Sequence, residues 1–128
     1  MMNYKNAPWR LAEDLNAKAF KGEAMRLFDL FEAAARSGSP VIEDRAFVDC
    51  RLEGPAVIAI LSGCQFVRTD FGYPGDDIGR IVWRTESRKG VVGALPFRNC
   101  RFEGCSFFAT GFTGPEDFLQ QILKLDRN

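Results

Sequence analysis

The hydrophobic pattern of this chain changes period near residue 40. Upstream, GEAMRLFDLFEAAARSG sets Ala24, Leu27, Phe28, Phe31, Ala34 and Ala35 at helical spacing, which makes one broad apolar face. Arg36 falls in the last turn, Gly38 is a C-terminal stop and Pro40 lies just beyond it. Leu11, Leu15 and Ala19 carry a thinner stripe after the start signal Asn6-Ala7-Pro8, and Gly22 interrupts it. The pattern predicts a helical N-terminal cap over 1–39. Downstream the period is five: Ile42, Phe47, Leu52 and Val57; Leu61, Phe66 and Phe71; Phe97, Phe102, Phe107 and Phe112. Two residues before many of these stands a smaller one, namely Cys50, Cys64, Thr69, Cys100, Cys105 or Thr110. In extended backbone, residues i−2 and i share a side. Five residues, two facing inward and the rest turning a corner, make one side of a coiled β-ribbon. Asp49, Gly54, Asp70, Asn99, Gly104 and Gly114 supply turn chemistry for the corners. The closing GPEDFLQQILKLDRN predicts a helix over 115–128, with Pro115, Glu116 and Asp117 in its first turn.

An internal repeat accompanies the short period. FVDCRLEG (47–54) and FRNCRFEG (97–104) are identical at five of eight positions with an offset of 50. The five-residue units run CRFEG, CSFFA and TGFTG over 100–114 with LPFRN before them, RAFVD, CRLEG and PAVIA over 45–59, and CQFVR and TDFGY over 64–73. These blocks resemble the pentapeptide-repeat proteins, a family of right-handed β-helices whose unit carries a small residue two before a central Leu or Phe. The likeness covers roughly half the chain, and each motif taken singly is degenerate. It implies a mainly β fold with helical caps, a short right-handed β-helix in one domain. The cap would span 1–39, the solenoid 40–114 with an inserted loop at 74–90, and the C-terminal helix 115–128. Two departures stand out. Phe66 follows Val57 by nine residues, and PGDDIGRIVWRTESRKG (74–90) leaves the pattern, with Ile81, Val82 and Trp83 reading as a strand inside it.

Composition narrows the function classes. The 128 residues are 46% hydrophobic and 27% charged, with 17 basic and 17 acidic side chains in balance. Neutrality tells against a basic nucleic-acid binder. It tells equally against the acidic DNA mimicry of some proteins in the resembled family. No apolar run approaches the roughly 18 residues of a membrane span. MMNYKNAPWRLAEDLNAKAF carries acids and lacks an apolar centre, so it does not read as a secretory signal. The expectation is a cytoplasmic protein with reduced cysteines. The absence of histidine removes the commonest general base and metal ligand.

The four cysteines are 14, 36 and 5 residues apart with no CxxC pairing. Each precedes an inward Phe or Leu, so they read as core rather than as zinc ligands or nucleophiles. The expected core is Phe47, Cys50, Leu52, Cys64, Phe66, Phe97, Cys100, Phe102, Cys105, Phe107 and Phe112. Phe28 and Phe108 are assigned to the interior as well, and Arg51, Glu53, Arg101 and Glu103 to a solvated ladder. No catalytic residue, cofactor or metal is expected, and the chain does not read as an enzyme. The candidate partner-binding residues are Tyr73, Asp76, Asp77, Arg80, Trp83 and Arg84, on and beside the inserted loop. The leading expectation is a non-catalytic β-solenoid protein-interaction module. Its partner would be a protein, with a homodimer through a helical cap as one arrangement, and neither nucleic acid nor membrane. The alternative is a small β-helix carbohydrate-binding or polysaccharide-acting protein, which needs Asp76, Asp77, Arg80 and Arg84 to converge in one cleft.

Overall fold

Strand pairing, not helical periodicity, decides the start of the chain. The computed structural model describes residues 9–72, 77–85 and 91–124. In chain order these form β1 (Arg10–Leu11), β2 (Ala19–Lys21), β3 (Glu23–Arg26), α1 (Leu27–Arg36), β4 (Ile42–Glu43), β5 (Ala46–Val48), β6 (Arg51–Ser62) and β7 (Gln65–Val67). A short 3-10 helix (Ile78–Ile81), β8 (Leu95–Arg98), β9 (Arg101–Glu103), β10 (Ser106–Thr113) and α2 (Glu116–Leu123) follow. The helical cap expected over 1–39 is therefore corrected: among the described residues of that span only Leu27–Arg36 is helical, and three short strands precede it. The stripe of Leu11, Leu15 and Ala19 is too thin to bury a helix, and Leu11 stays exposed. Phe20 instead pairs in register with Phe47, and Met25 with Leu52. Burial of those side chains against neighbouring strands outweighs the local helix preference.

Every strand pair between named strands is parallel. One sheet runs β1-β3-β6-β8-β4, with β10 also paired to β6, and the other runs β2-β5-β9-β7. In the second sheet Phe20, Phe47, Phe102 and Phe66 stand in register. Their rings stack at 5.1, 4.9 and 4.8 Å between centroids, tilted by only 6°, 3° and 5°. That repeat is the interstrand spacing itself, about 4.8 Å, so each ring covers the next. Leu27 and Leu30 of α1 and Phe118, Leu119 and Ile122 of α2 close the same core. Phe118 lies 5.2 Å from Phe66 and covers a ring that the sheet leaves half-buried. Corners fall where the turn residues are: Asp44, Asp49 and Asn99 take positive φ of 60°, 53° and 53°.

The strand order overturns the expected right-handed β-helix. In a solenoid each turn of chain lies on the next in sequence. Here β9 sits between β5 and β7, and β8 between β6 and β4. The described residues form a mainly strand, parallel α/β-like arrangement of two sheets and two helices. Register is displaced from the repeat too. The partners Ile42↔Phe97, Phe47↔Phe102 and Leu52↔Phe107 are 55 residues apart, one five-residue unit more than the similarity of FVDCRLEG to FRNCRFEG suggests.

Candidate functional site

An irregularity between β6 and β10 makes the site. The two strands pair at Phe108↔Glu53 and resume at Thr110↔Ala56, so β6 uses one residue more than β10. Pro55 has no N–H for the ladder, and such a residue belongs at an irregular step. Ala109 turns the opposite strand there with φ 53°. Gly54 lies directly against the Ala109 carbonyl, where a Cβ would collide with backbone. Phe107 points inward at this step, so its neighbour Phe108 points out, with 53% of its surface in water.

Beside this step opens a groove of ≈ 920 Å³, floored by Ala56, Val57 and Gly111 and bordered by Arg51, Asp70, Arg80, Trp83 and Phe108. Trp83 is fixed by its backbone. Its N–H donates to the Phe112 carbonyl (2.8 Å), next to the parallel bridge between Val82 and Phe112. Its indole lies over Gly111, where a Cβ would come within 2.6 Å of Nε1. The ring is nevertheless 56% exposed. Arg51 donates through Nε to Glu53 at 3.2 Å. Its guanidinium lies 5.0 Å from the Phe108 ring centroid and 5.5 Å from that of Trp9, within cation–π range. Asp70 is engaged locally, with Oδ1 accepting from the Gly72 N–H at 2.9 Å.

Of the candidate binding residues, the structure brings Arg80 and Trp83 into this groove. Asp77 caps the 3-10 helix instead, accepting from the Gly79 N–H at 2.9 Å. Arg84 turns to α2, where Nε and Nη2 donate to the two carboxylate oxygens of Glu116 at 3.0 and 2.8 Å. That guanidinium pulls the Glu116 carboxyl down to about 2. Tyr73 and Asp76 lie outside the described residues. The strand expected at Ile81–Trp83 is a 3-10 turn ending in a single bridge. Phe47, Cys50, Leu52, Phe97, Cys100, Phe102, Cys105, Phe107 and Phe112 are buried, while Cys64 and Phe66 are half-buried. Phe28 and Phe108, expected inside, are exposed. Alternation with the inward Phe107 is a sequence signal that points Phe108 outward, and the assignment to the interior overlooked it. Arg51 was expected on a solvated ladder; the sequence carries no mark of its packing between two aromatic rings.

Among the described residues no group of three or more Cys, Asp or Glu side chains could hold a metal ion. The cysteines stand in two pairs, not one cluster, and all four are free thiols. No helix among the described residues is long and apolar enough to cross a membrane. Compared with known protein families, characterised proteins and solved structures, the chain matches none. The functional reading therefore rests on the groove's own geometry.

Proposed function

We propose that the protein is a non-catalytic interaction module whose groove takes an extended segment of a protein partner, one with a large apolar side chain next to a carboxylate. The observation that carries this reading is the pair Trp83 and Phe108, each more than half exposed and lining the same groove. Large aromatics left in water on one concave surface gain most when a partner covers them, and such residues dominate binding energies. Arg51 supports the choice of a carboxylate. Its Nε is engaged by Glu53 and its plane is held by two rings, so its terminal nitrogens present a preorganised fork.

The polysaccharide alternative needs Asp76, Asp77, Arg80 and Arg84 in one cleft. Asp77 and Arg84 are committed to a helix cap and to Glu116, so that reading is not carried forward. The balance of 17 basic and 17 acidic residues favours a protein partner over nucleic acid. Four free thiols favour a reducing compartment, and the cytoplasm is part of the proposal. A library of random displayed peptides panned on the folded protein tests the function. Enrichment of sequences pairing an aromatic or aliphatic residue with Asp or Glu is the expected result. Enrichment of nothing, or of basic polar sequences, would refute it.

A further inference from the structure

The strand register sets the four cysteines in two facing pairs. β7 and β9 pair with Gln65 opposite Arg101, which places the preceding residues, Cys64 and Cys100, opposite each other; the Gln65 N–H donates to the Cys100 carbonyl at 3.0 Å. β6 and β10 pair with Arg51 opposite Ser106, which places Cys50 opposite Cys105; the Ser106 N–H donates to the Cys50 carbonyl at 2.9 Å. In-register neighbours on adjacent strands lie about 4.8 Å apart. That is inside the roughly 4.4–6.8 Å between α-carbons that a disulfide spans.

The two pairs differ in access. Cys50, Cys100 and Cys105 are 0%, 1% and 2% exposed, while Cys64 is half-buried and reaches water. Hydrogen bonding to Cys100 holds the Cys64 thiol down to about 7, against the effect of burial. A cation stands behind the pair. Arg45 is only 8% exposed, donates through Nη1 to the carbonyls of Leu15 and Ala17, and makes no ion pair among the described residues. Hydrogen bonding to Cys64 and burial push the Cys100 thiol up, an effect the nearby Arg45 offsets only in part, so Cys100 keeps its proton while Cys64 is the one that ionises. Cys50 and Cys105 have the same facing geometry but no thiol at the surface.

We infer that Cys64 and Cys100 are a modification site, a dithiol that a hydroperoxide converts to a disulfide. The Cys64 thiolate attacks the terminal peroxide oxygen and the O–O bond breaks. The alkoxide or hydroxide leaves and takes up a proton, and Cys64 is left as the sulfenic acid. The Cys100 sulfur then attacks the Cys64 sulfur, its proton goes to the departing hydroxide, and water is lost. Two thiols and one hydroperoxide give one disulfide, one alcohol or water, and one water, with two electrons passing from sulfur to oxygen.

The test is to expose the folded protein to equimolar hydrogen peroxide, alkylate the remaining thiols, and map the cysteines by mass spectrometry without reduction. The expected product is a Cys64–Cys100 cross-linked peptide, with Cys50 and Cys105 reduced and alkylated only after denaturation. In Cys100→Ser the sulfenic acid should persist at Cys64 and be trapped by a 1,3-dione reagent. Cys64 still alkylated after peroxide, Cys64 oxidised in the wild type without Cys100 as its partner, or prior oxidation of Cys50 and Cys105 would each overturn the inference.

Discussion

Replacing Phe102 by alanine should remove more stability than any other truncation in the ring ladder. Phe102 is fully buried and stacks on two rings, Phe47 at 4.9 Å and Phe66 at 4.8 Å, while Phe97 and Phe107 meet it at tilted angles. Loss of a core phenylalanine ring costs about 3–5 kcal/mol, and the cost is highest where the site cannot collapse. Here it cannot: the flanking rings belong to strands held at hydrogen-bonding distance, so a loss of about 5 kcal/mol is expected. Domains of this kind are stable by about 5–15 kcal/mol, so the variant keeps a fraction of its margin. Phe20→Ala, at the end of the ladder with the single stacked neighbour Phe47, should cost nearer about 3 kcal/mol. Phe102→Leu, which keeps much of the volume, should cost about 1.5 kcal/mol. Urea unfolding followed by circular dichroism gives these differences as midpoint shifts at a common slope. The two-sided stacking of Phe102 exists only because β9 lies between β5 and β7. If Phe102→Ala costs no more than Phe20→Ala, that strand order is refuted.

Three further substitutions probe the groove and its supports. Gly111→Ala sets a methyl 2.6 Å from Nε1 and 2.8 Å from Cδ1 of Trp83, so only a surface side chain must move. In a Trp9→Phe background its emission should shift to the red with less than about 1 kcal/mol of stability lost; unchanged emission would contradict the indole's placement. Gly54→Ala sets its methyl against the Ala109 carbonyl, which is backbone, so urea denaturation should show a much larger loss than Gly111→Ala shows. Arg84 depresses the Glu116 carboxyl from 4.5 to about 2. A depressed carboxyl stabilises the fold fully above its unfolded value and loses that contribution as the pH falls toward 2. Wild type and Glu116→Gln should therefore converge in unfolding midpoint as the solution is acidified through that window, and the gap should narrow in salt, since both side chains are exposed. Parallel pH profiles would contradict the pairing.

Local chemistry was legible in the sequence and long-range order was not. The five-residue spacing picks out Phe47, Phe97, Phe102, Phe107 and Phe112, and the core encloses all of them. Asp49 and Asn99 read as corners because short polar side chains tolerate positive φ, and both adopt it. The likeness at an offset of 50 reports positions with equal local requirements. The register at 55 reports which rings and thiols pack together, and no local period encodes that difference. Insertion of β9 between β5 and β7 is a long-range pairing of the same kind. Phe20 read as part of a broken helix because its partner, Phe47, is distant in sequence. At the groove, Trp83 stood out because its segment leaves the repeat. Phe108 and Arg51 sit inside repeat units and look like ordinary members of them; they become a site only where the β6–β10 step and the Trp9 ring bring them together.

The interaction role is tested most directly by the affinity of one library-selected peptide for wild type, Trp83→Ala, Phe108→Ala and the control Phe28→Ala, measured by calorimetry. Phe28 is as exposed as the groove aromatics but lies on α1, away from the groove lining. The groove predicts one-to-one binding that weakens by about 2 kcal/mol, roughly 30-fold, in each of the first two variants and is unchanged in the third. Equal affinity across all four proteins, or a loss at Phe28 alone, would contradict it.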